Sequence, residues 1–173
     1  AQIVGTEGVD KRLDVLATAM HAGMKANMLK DLDLAYAPPF SSAKDPVNMA
    51  GFMIENIRNG FVKQYHWDEI AGLPRDGSVT LLDTRTAYEY KSGHIDGYIN
   101  IPVDDLRERM NEIDDSKPVY VICQSGLRSY IACRILTQNG FDCYNFSGGY
   151  RFYASVIKEK EMSEYTYPCG MAK

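Results

Sequence analysis

Five consecutive apolar residues, Val119-Tyr120-Val121-Ile122-Cys123, run directly into Gln124-Ser125-Gly126, and this junction constrains the chain more than any other feature. A run without alternating polar residues has no solvent face. It predicts a strand covered on both sides, as in a parallel sheet flanked by helices. The neighbouring segments fit that setting. Val79 to Asp83 and Cys143 to Phe146 read as strands, and Tyr98 to Ile101 as another. Leu106, Met110 and Ile113 mark a helix starting near Asp104, and Ile131, Ile135 and Leu136 mark a second, ended by Asn139-Gly140. Ser147-Gly148-Gly149 leads into a last helix through Phe152, Val156 and Ile157. Alternating strands and helices imply right-handed crossovers, so the expected class is α/β, a mainly parallel sheet with helices on both faces. The tail from Met162 to Lys173 has no period and is expected to be loose.

Residues 1–60 read differently. Ala1-Gln2-Ile3-Val4-Gly5 looks like the end of a strand, and Gly8-Val9-Asp10 opens a helical pattern carried by Leu13, Leu16, Met20, Met24 and Met28. Tyr36-Ala37-Pro38-Pro39-Phe40-Ser41-Ser42 is expected to be extended and stiff, because two prolines fix two φ angles and remove two donors. Asp45-Pro46 restarts a helix, Asp as N-cap and Pro at the first helical position, with Val47, Gly51, Ile54 and Ile57 on one face. Two helices and a frayed strand have little to pack against alone, so a partner surface is expected in cis or in trans.

The 173 residues are 45 % hydrophobic and 24 % charged, which is globular rather than disordered composition. A net charge of −4 without a basic stripe argues against nucleic acid as a partner. No apolar run approaches the length of a membrane-spanning helix, and the first residues lack a signal pattern, so the expected location is the cytoplasm. Cysteines stand at 123, 133, 143 and 169 with no Cys-x-x-Cys pair and only three histidines, so reduced thiols are expected and no metal site.

In open parallel sheets, ligands bind beyond the carboxyl ends of the strands, and Cys123 occupies that place. A lone cysteine ending a strand is usually a small packing residue. Here, however, it is followed by Gln124, Ser125, Gly126, Leu127, Arg128 and Ser129. Gly126 permits a tight bend, and the inward amides of such a loop at a helix start favour an anion, a thiolate or a persulfide. Arg128 lies in the first helical turn, where the macrodipole disfavours a cation, so either an anion at the loop mouth or a nearby carboxylate is expected to hold it. Asp83 and Arg85, also at a strand end, are expected to brace the site, with Glu89 as their ion-pair partner. His94 is expected to pin a loop, Trp67 to pack the start of the domain, and Cys133 and Cys143 to be packing residues. Cys169 lies in the tail, with nothing nearby to activate it.

Leu81-Leu82-Asp83-Thr84-Arg85, then Glu89-Tyr90, Gly93-His94-Ile95-Asp96-Gly97 and Asn100-Ile101-Pro102, in that order, resemble the rhodanese homology domain. The loop from Cys123 to Arg128 and Gly148-Gly149-Tyr150 complete the resemblance, which covers about residues 61–160. It implies a rhodanese-type sulfurtransferase in which Cys123 takes a sulfane sulfur as persulfide and passes it to a thiophilic acceptor. The six-residue loop resembles that of sulfurtransferases; related phosphatases carry one residue more. Members specialised for thiosulfate often have two or more basic loop residues, whereas this loop has only Arg128, which weighs against thiosulfate as the natural donor. The alternatives are a cysteine-based phosphatase or arsenate reductase on the same scaffold, or a non-catalytic docking module.

Gly8-Val9-Asp10-Lys11-Arg12-Leu13-Asp14-Val15-Leu16-Ala17 and Asp31-Leu32-Asp33-Leu34-Ala35-Tyr36-Ala37-Pro38-Pro39-Phe40-Ser41 resemble the dimerisation domain that ends flavin-dependent disulfide reductases, the coenzyme A-disulfide reductases in particular. That resemblance implies three parts: 1–60 as the C-terminal piece of such a domain, 61–160 as the rhodanese domain, and 161–173 as a tail. It implies a homodimer in which Tyr36 faces the partner subunit's flavin and CoA site. It also implies a parent protein whose flavoprotein domains use FAD and NAD(P)H to reduce CoA-persulfide, CoA-disulfide or polysulfide. Small-molecule thiols, persulfides and polysulfides are the expected partners. The chain has no Gly-x-Gly-x-x-Gly, so no cofactor is expected within it.

Overall fold

The computed structural model describes residues 1–35, 37, 39 and 44–165, with side chains as far as 161. The chain forms two compact units, Ala1–Phe61 and Val62–Lys173.

Unit 2 is built on five strands: β1 (Lys63–Tyr65), β2 (Thr80–Asp83), β3 (Ile99–Asn100), β4 (Val119–Ile122) and β5 (Cys143–Phe146). All pairs are parallel, in the order β1-β5-β4-β2-β3, which puts the apolar run at the centre. Its helices are α3 (Ala87–Lys91), α4 (Leu106–Arg109), α5 (Leu127–Gln138) and α6 (Gly149–Tyr165). Successive side chains of a strand point to opposite faces, and the core divides accordingly. Leu82, Val119 and Val121 pack with Leu106, Ala132 and Leu136 in one cluster, while Leu81, Ile122 and Phe146 pack with Tyr65, Ile70 and Ile95 in another. Both faces of β4 are therefore covered, which is why its sequence has no polar alternate. β1 and α3 escape sequence reading. Lys63-Gln64-Tyr65 is a polar edge strand, and α3 is too short to show a period. The tail expectation needs correction: α6 continues through Tyr165, since Met162-Ser163-Glu164-Tyr165 contains no helix breaker and the first one is Pro168.

Unit 1 holds α1 (Val9–His21), a 3₁₀ turn (Ala26–Asp31) and α2 (Pro46–Arg58). Residues 1–5 form no strand: a strand needs a ladder partner, and the described residues of this unit offer none. α1 stops at His21 and Gly23 turns the chain with φ 69°, so Met24 and Met28 leave the helical row expected for them. The expected cap of α2 is present: the Asp45 carboxylate accepts from the Val47 amide at 3.0 Å, and its other oxygen accepts from Arg12 Nε at 3.1 Å. Gly51 lets α2 lie against the 3₁₀ turn, where an added Cβ would stand 2.3 Å from the Lys30 amide nitrogen. Asn48 Nδ2 donates to the Leu29 and Leu32 carbonyls across the same contact. Among the described residues the buried apolar core of the unit is Ala19, Leu29 and Val47, while Met20, Phe52, Met53 and Ile57 are exposed. Tyr36, Pro38, residues 40–43 and Cys169 lie outside the described residues, so the expectations for them do too.

Among the described residues no helix is long and apolar enough to cross a membrane, and no cluster of potential metal ligands occurs.

Candidate active site

Cys123 follows the last residue of β4, and Gly126 caps α5 with φ 105°. In that left-handed conformation, open to glycine without penalty, the chain curls back over the sulfur, and the Gly126 amide donates to Sγ at 3.1 Å. The helix begins at Leu127, so Leu127, Arg128 and Ser129 form its first turn and the irregular part of the loop is only residues 124–126. Ser129, completely buried, brings a hydroxyl with one proton within reach of two acceptors, Sγ at 3.2 Å and the Gly126 carbonyl at 3.1 Å. The expected cradle is thus one described amide and one hydroxyl at the sulfur. The hydroxyl was not legible in the sequence, although Ser129 was placed in the loop.

The loop is clamped from α6. The Tyr150 amide donates to the Cys123 carbonyl at 2.8 Å and the Arg151 amide to the Gln124 carbonyl at 3.2 Å. Gly149 (φ 69°) makes this approach feasible, since a Cβ there would lie 2.5 Å from the Ser125 nitrogen and 2.6 Å from the Gln124 carbonyl. Asn145 of β5 reaches the Gly126 carbonyl with Nδ2 at 3.5 Å, and its buried Oδ1 finds no hydrogen-bond partner among the described residues.

Two ion pairs border the loop. Arg85, 2 % exposed, lies against Asp83 with Nη2–Oδ2 at 2.7 Å, donates to the Gly93 carbonyl at 2.7 Å, and stacks over Tyr150 at 3.9 Å. Its Nη1 reaches Gln124 Oε1 at 3.5 Å, which ties the brace to the loop. Asn100 Nδ2 holds the Asp83 and Arg85 carbonyls at 3.0 and 2.8 Å. Glu89 is not the partner expected for this pair. It grips Arg128 instead, through two contacts of 2.7 Å each, while its Oε2 also accepts from Thr86 N and Oγ1 at 2.9 Å. Asp83 already pairs with Arg85 through Nε and Nη2 from two residues away, while Glu89 faces α5. The Arg128 guanidinium, followed by the Thr86 donors, holds the Glu89 carboxyl down at about 2. Of the two arrangements left open for Arg128, the structure shows the carboxylate.

The remaining candidates are peripheral. His94 Nδ1 donates to the Tyr90 carbonyl, 3.1 Å away, and the ring stacks on that of Tyr90, consistent with pinning a loop. Trp67 packs at the edge of a core cluster under Lys160. Cys133 and Cys143 are buried, and burial pushes both thiols up, Cys143 to about 12.

The model of the family "Rhodanese-like domain" matches residues 66–155. Reduced CoADR-RHD of Bacillus anthracis is 47 % identical, with a TM-score of 0.84 over 88 % of this chain and 27 % of that one. A NAD-dependent persulfide reductase from A. fulgidus is 39 % identical, with a TM-score of 0.72 over 86 % of this chain and 26 % of that one. Coenzyme A disulfide reductase of Staphylococcus aureus (strain bovine RF122 / ET3-1) is 50 % identical over 52 residues, 30 % of this chain and 12 % of that protein. The two structural matches extend well past residues 66–155 and so take in part of unit 1. The chain spans less than two thirds of the length of the curated relatives it matches.

Proposed function

The chain belongs to the rhodanese-like family, and on that premise we propose that it transfers sulfane sulfur through a persulfide on Cys123. The observation that carries the reading is the sulfur's setting: a cysteine at the carboxyl end of the central strand, with the Gly126 amide and the Ser129 hydroxyl directed at Sγ. Both donors stabilise negative charge on sulfur without a titrating base, and thiolate rather than thiol is the nucleophile. In the first step the Cys123 thiolate attacks the terminal sulfur of a donor R–S–SH. The donor S–S bond breaks, RS⁻ leaves with the electron pair, and the proton stays on the transferred sulfur or passes to solvent. In the second step an acceptor thiolate attacks that outer sulfur, a new S–S bond forms on the acceptor, and the Cys123 thiolate is restored. No net oxidation or reduction is required.

Relatives named as CoA-disulfide and persulfide reductases support placing this step beside a reductase reaction on CoA-persulfide, CoA-disulfide or polysulfide. The described residues do not themselves fit a dinucleotide. The two glycine-bearing strand-to-helix junctions, Gln124-Ser125-Gly126 and Ser147-Gly148-Gly149, are packed against each other rather than open as a pyrophosphate turn. In this proposal FAD and NAD(P)H belong to other domains, and unit 1 contributes to a homodimer. The whole chain is expected to sediment as a dimer at micromolar concentration and a chain beginning at Phe61 as a monomer; two monomers, or two dimers, would remove unit 1 from assembly.

The test of sulfur transfer is mass spectrometry after polysulfide treatment. Cys123 is expected to gain sulfur while Cys133 and Cys143 stay thiols, and Cys123→Ser should lose both the adduct and cyanide-dependent sulfur transfer. Full activity in that variant would sink the assignment.

A further inference from the structure

We propose that Glu89, by closing on Arg128, is a specificity-determining residue that sets the site against small free dianions such as thiosulfate and toward the persulfide of an organic thiol. The inference rests on the sulfur-transfer reading above and names its donor class.

Three observations carry it. First, the two terminal nitrogens of Arg128 are both engaged by Glu89 at 2.7 Å, and the same carboxylate is fixed from behind by Thr86 N and Oγ1 at 2.9 Å. The grip is part of the capping box of α3, so Glu89 is held in place rather than swinging free. Second, the other arginine of the site is closed as well, buried on Asp83, the Gly93 carbonyl and Tyr150. The two arginines and two carboxylates of these pairs cancel, so neither arginine offers an arriving dianion an uncompensated cation. Third, the residue preceding each partner of this ion pair in sequence is exposed and largely carbon-surfaced: Tyr88 is 82 % exposed and Leu127 62 %. Carbon surface next to a charge-balanced sulfur suits the organic part of a persulfide, R–S–SH, better than a hydrated oxyanion. The step is the one already written: Cys123 takes the terminal sulfur and RS⁻ departs. With thiosulfate the same attack would expel sulfite, whose charge would develop beside Glu89.

The rate of Cys123 persulfidation, read by mass spectrometry with thiosulfate and separately with N-acetylcysteamine persulfide, tests this. In Glu89→Gln, which keeps an acceptor for Thr86 but removes the charge, the thiosulfate-to-persulfide rate ratio should rise about tenfold, the usual worth of a charge-assisted contact. In the Arg128→Gln background the same Glu89→Gln change should leave the ratio where it was. An unmoved ratio in Glu89→Gln overturns the proposal. So does a rise that persists without Arg128, because Glu89 would then not act through that arginine. A reading on the unaltered chain is independent of any folding defect: thiosulfate loading should not slow between about 0.05 and about 0.5 M salt, since no net attraction is there to be screened. Slowing by about threefold or more would overturn the proposal. Failure of both donors to load Cys123 in the unaltered chain refutes sulfur transfer itself, whereas loading with an unmoved ratio refutes only the role of Glu89.

Discussion

Each unit contains a carboxylate that takes part in a helix N-terminal cap and grips an arginine from elsewhere in its own unit. In unit 1 Asp45 caps α2 and binds Arg12; in unit 2 Glu89 completes the capping box begun by Thr86 on α3 and binds Arg128. What lies beneath the two clips differs. Unit 2 has a five-stranded sheet and two core clusters; unit 1 has three buried apolar core residues among those described, with Met53 and Ile57 of the clipped helix exposed. The same device thus decorates a sheet-built core in one unit and ties α1 to α2 over a small core in the other. A chemical site that needs sub-ångström placement is carried by the unit with the core.

The comparison can be broken from either side. Leu136→Ala empties a fully buried position and should destabilise unit 2 by about 2–5 kcal/mol, with loss of the near-ultraviolet signal and of Cys123 loading together. Loading that survives unchanged would mean that the loop does not depend on this core. Gly51→Ala drives a Cβ into the Lys30 backbone and should cost about 1–3 kcal/mol, but within unit 1 only. Hydrogen exchange should rise in α2 while persulfide formation stays normal, and a fall in loading would show that the site is coupled to unit 1. Asp45→Ala removes the α2 cap and the Arg12 contact and should cost about 1 kcal/mol, read as a lower urea midpoint for unit 1.

The smallest effect is in pH. Glu89 ionises in the folded chain at about 2, below its ordinary value of 4.5. A depressed carboxylate stabilises the fold above its unfolded value and loses that contribution as pH falls through the folded one. The wild-type advantage over Glu89→Gln should therefore be constant above about pH 4.5 and shrink toward about pH 2. For a pair about 30 % exposed on each side it should amount to no more than about 1 kcal/mol. An advantage that fades between pH 7 and pH 5 would contradict the geometry.

What the sequence disclosed and what it withheld divide along physical lines. The central strand, Cys123 at its end, the turn at Gly126 and the Asp45 cap are local: a burial pattern, a backbone requirement, a side chain two residues from its target. The Glu89–Arg128 pair joins residues 39 apart, and no periodicity announces it. Gln124 meeting Arg85, and Asn145 meeting Gly126, are hidden for the same reason. Ser129 was legible as a loop residue but not as a donor to sulfur, because that depends on α5 starting at Leu127 and turning the hydroxyl inward. The strand expected at residues 1–5 failed for the complementary reason: strand propensity makes no strand without a neighbour.

The contact of Gly149 with Gln124 and Ser125 also limits how this loop can change over evolutionary time. A roomier loop of the kind that admits a phosphate-sized group would push residues 124–126 toward a backbone that already leaves no room for a Cβ at Gly149. It would also pull the Cys123 and Gln124 carbonyls off the Tyr150 and Arg151 amides. Lengthening the loop is therefore not a single-step route to new chemistry. The start of α6 must retreat first or at the same time, so an insertion alone should be selected against, while a neutral shift of α6 would open the way for it. The two segments are bound to a shared mutational history by a contact in which neither side chain takes part.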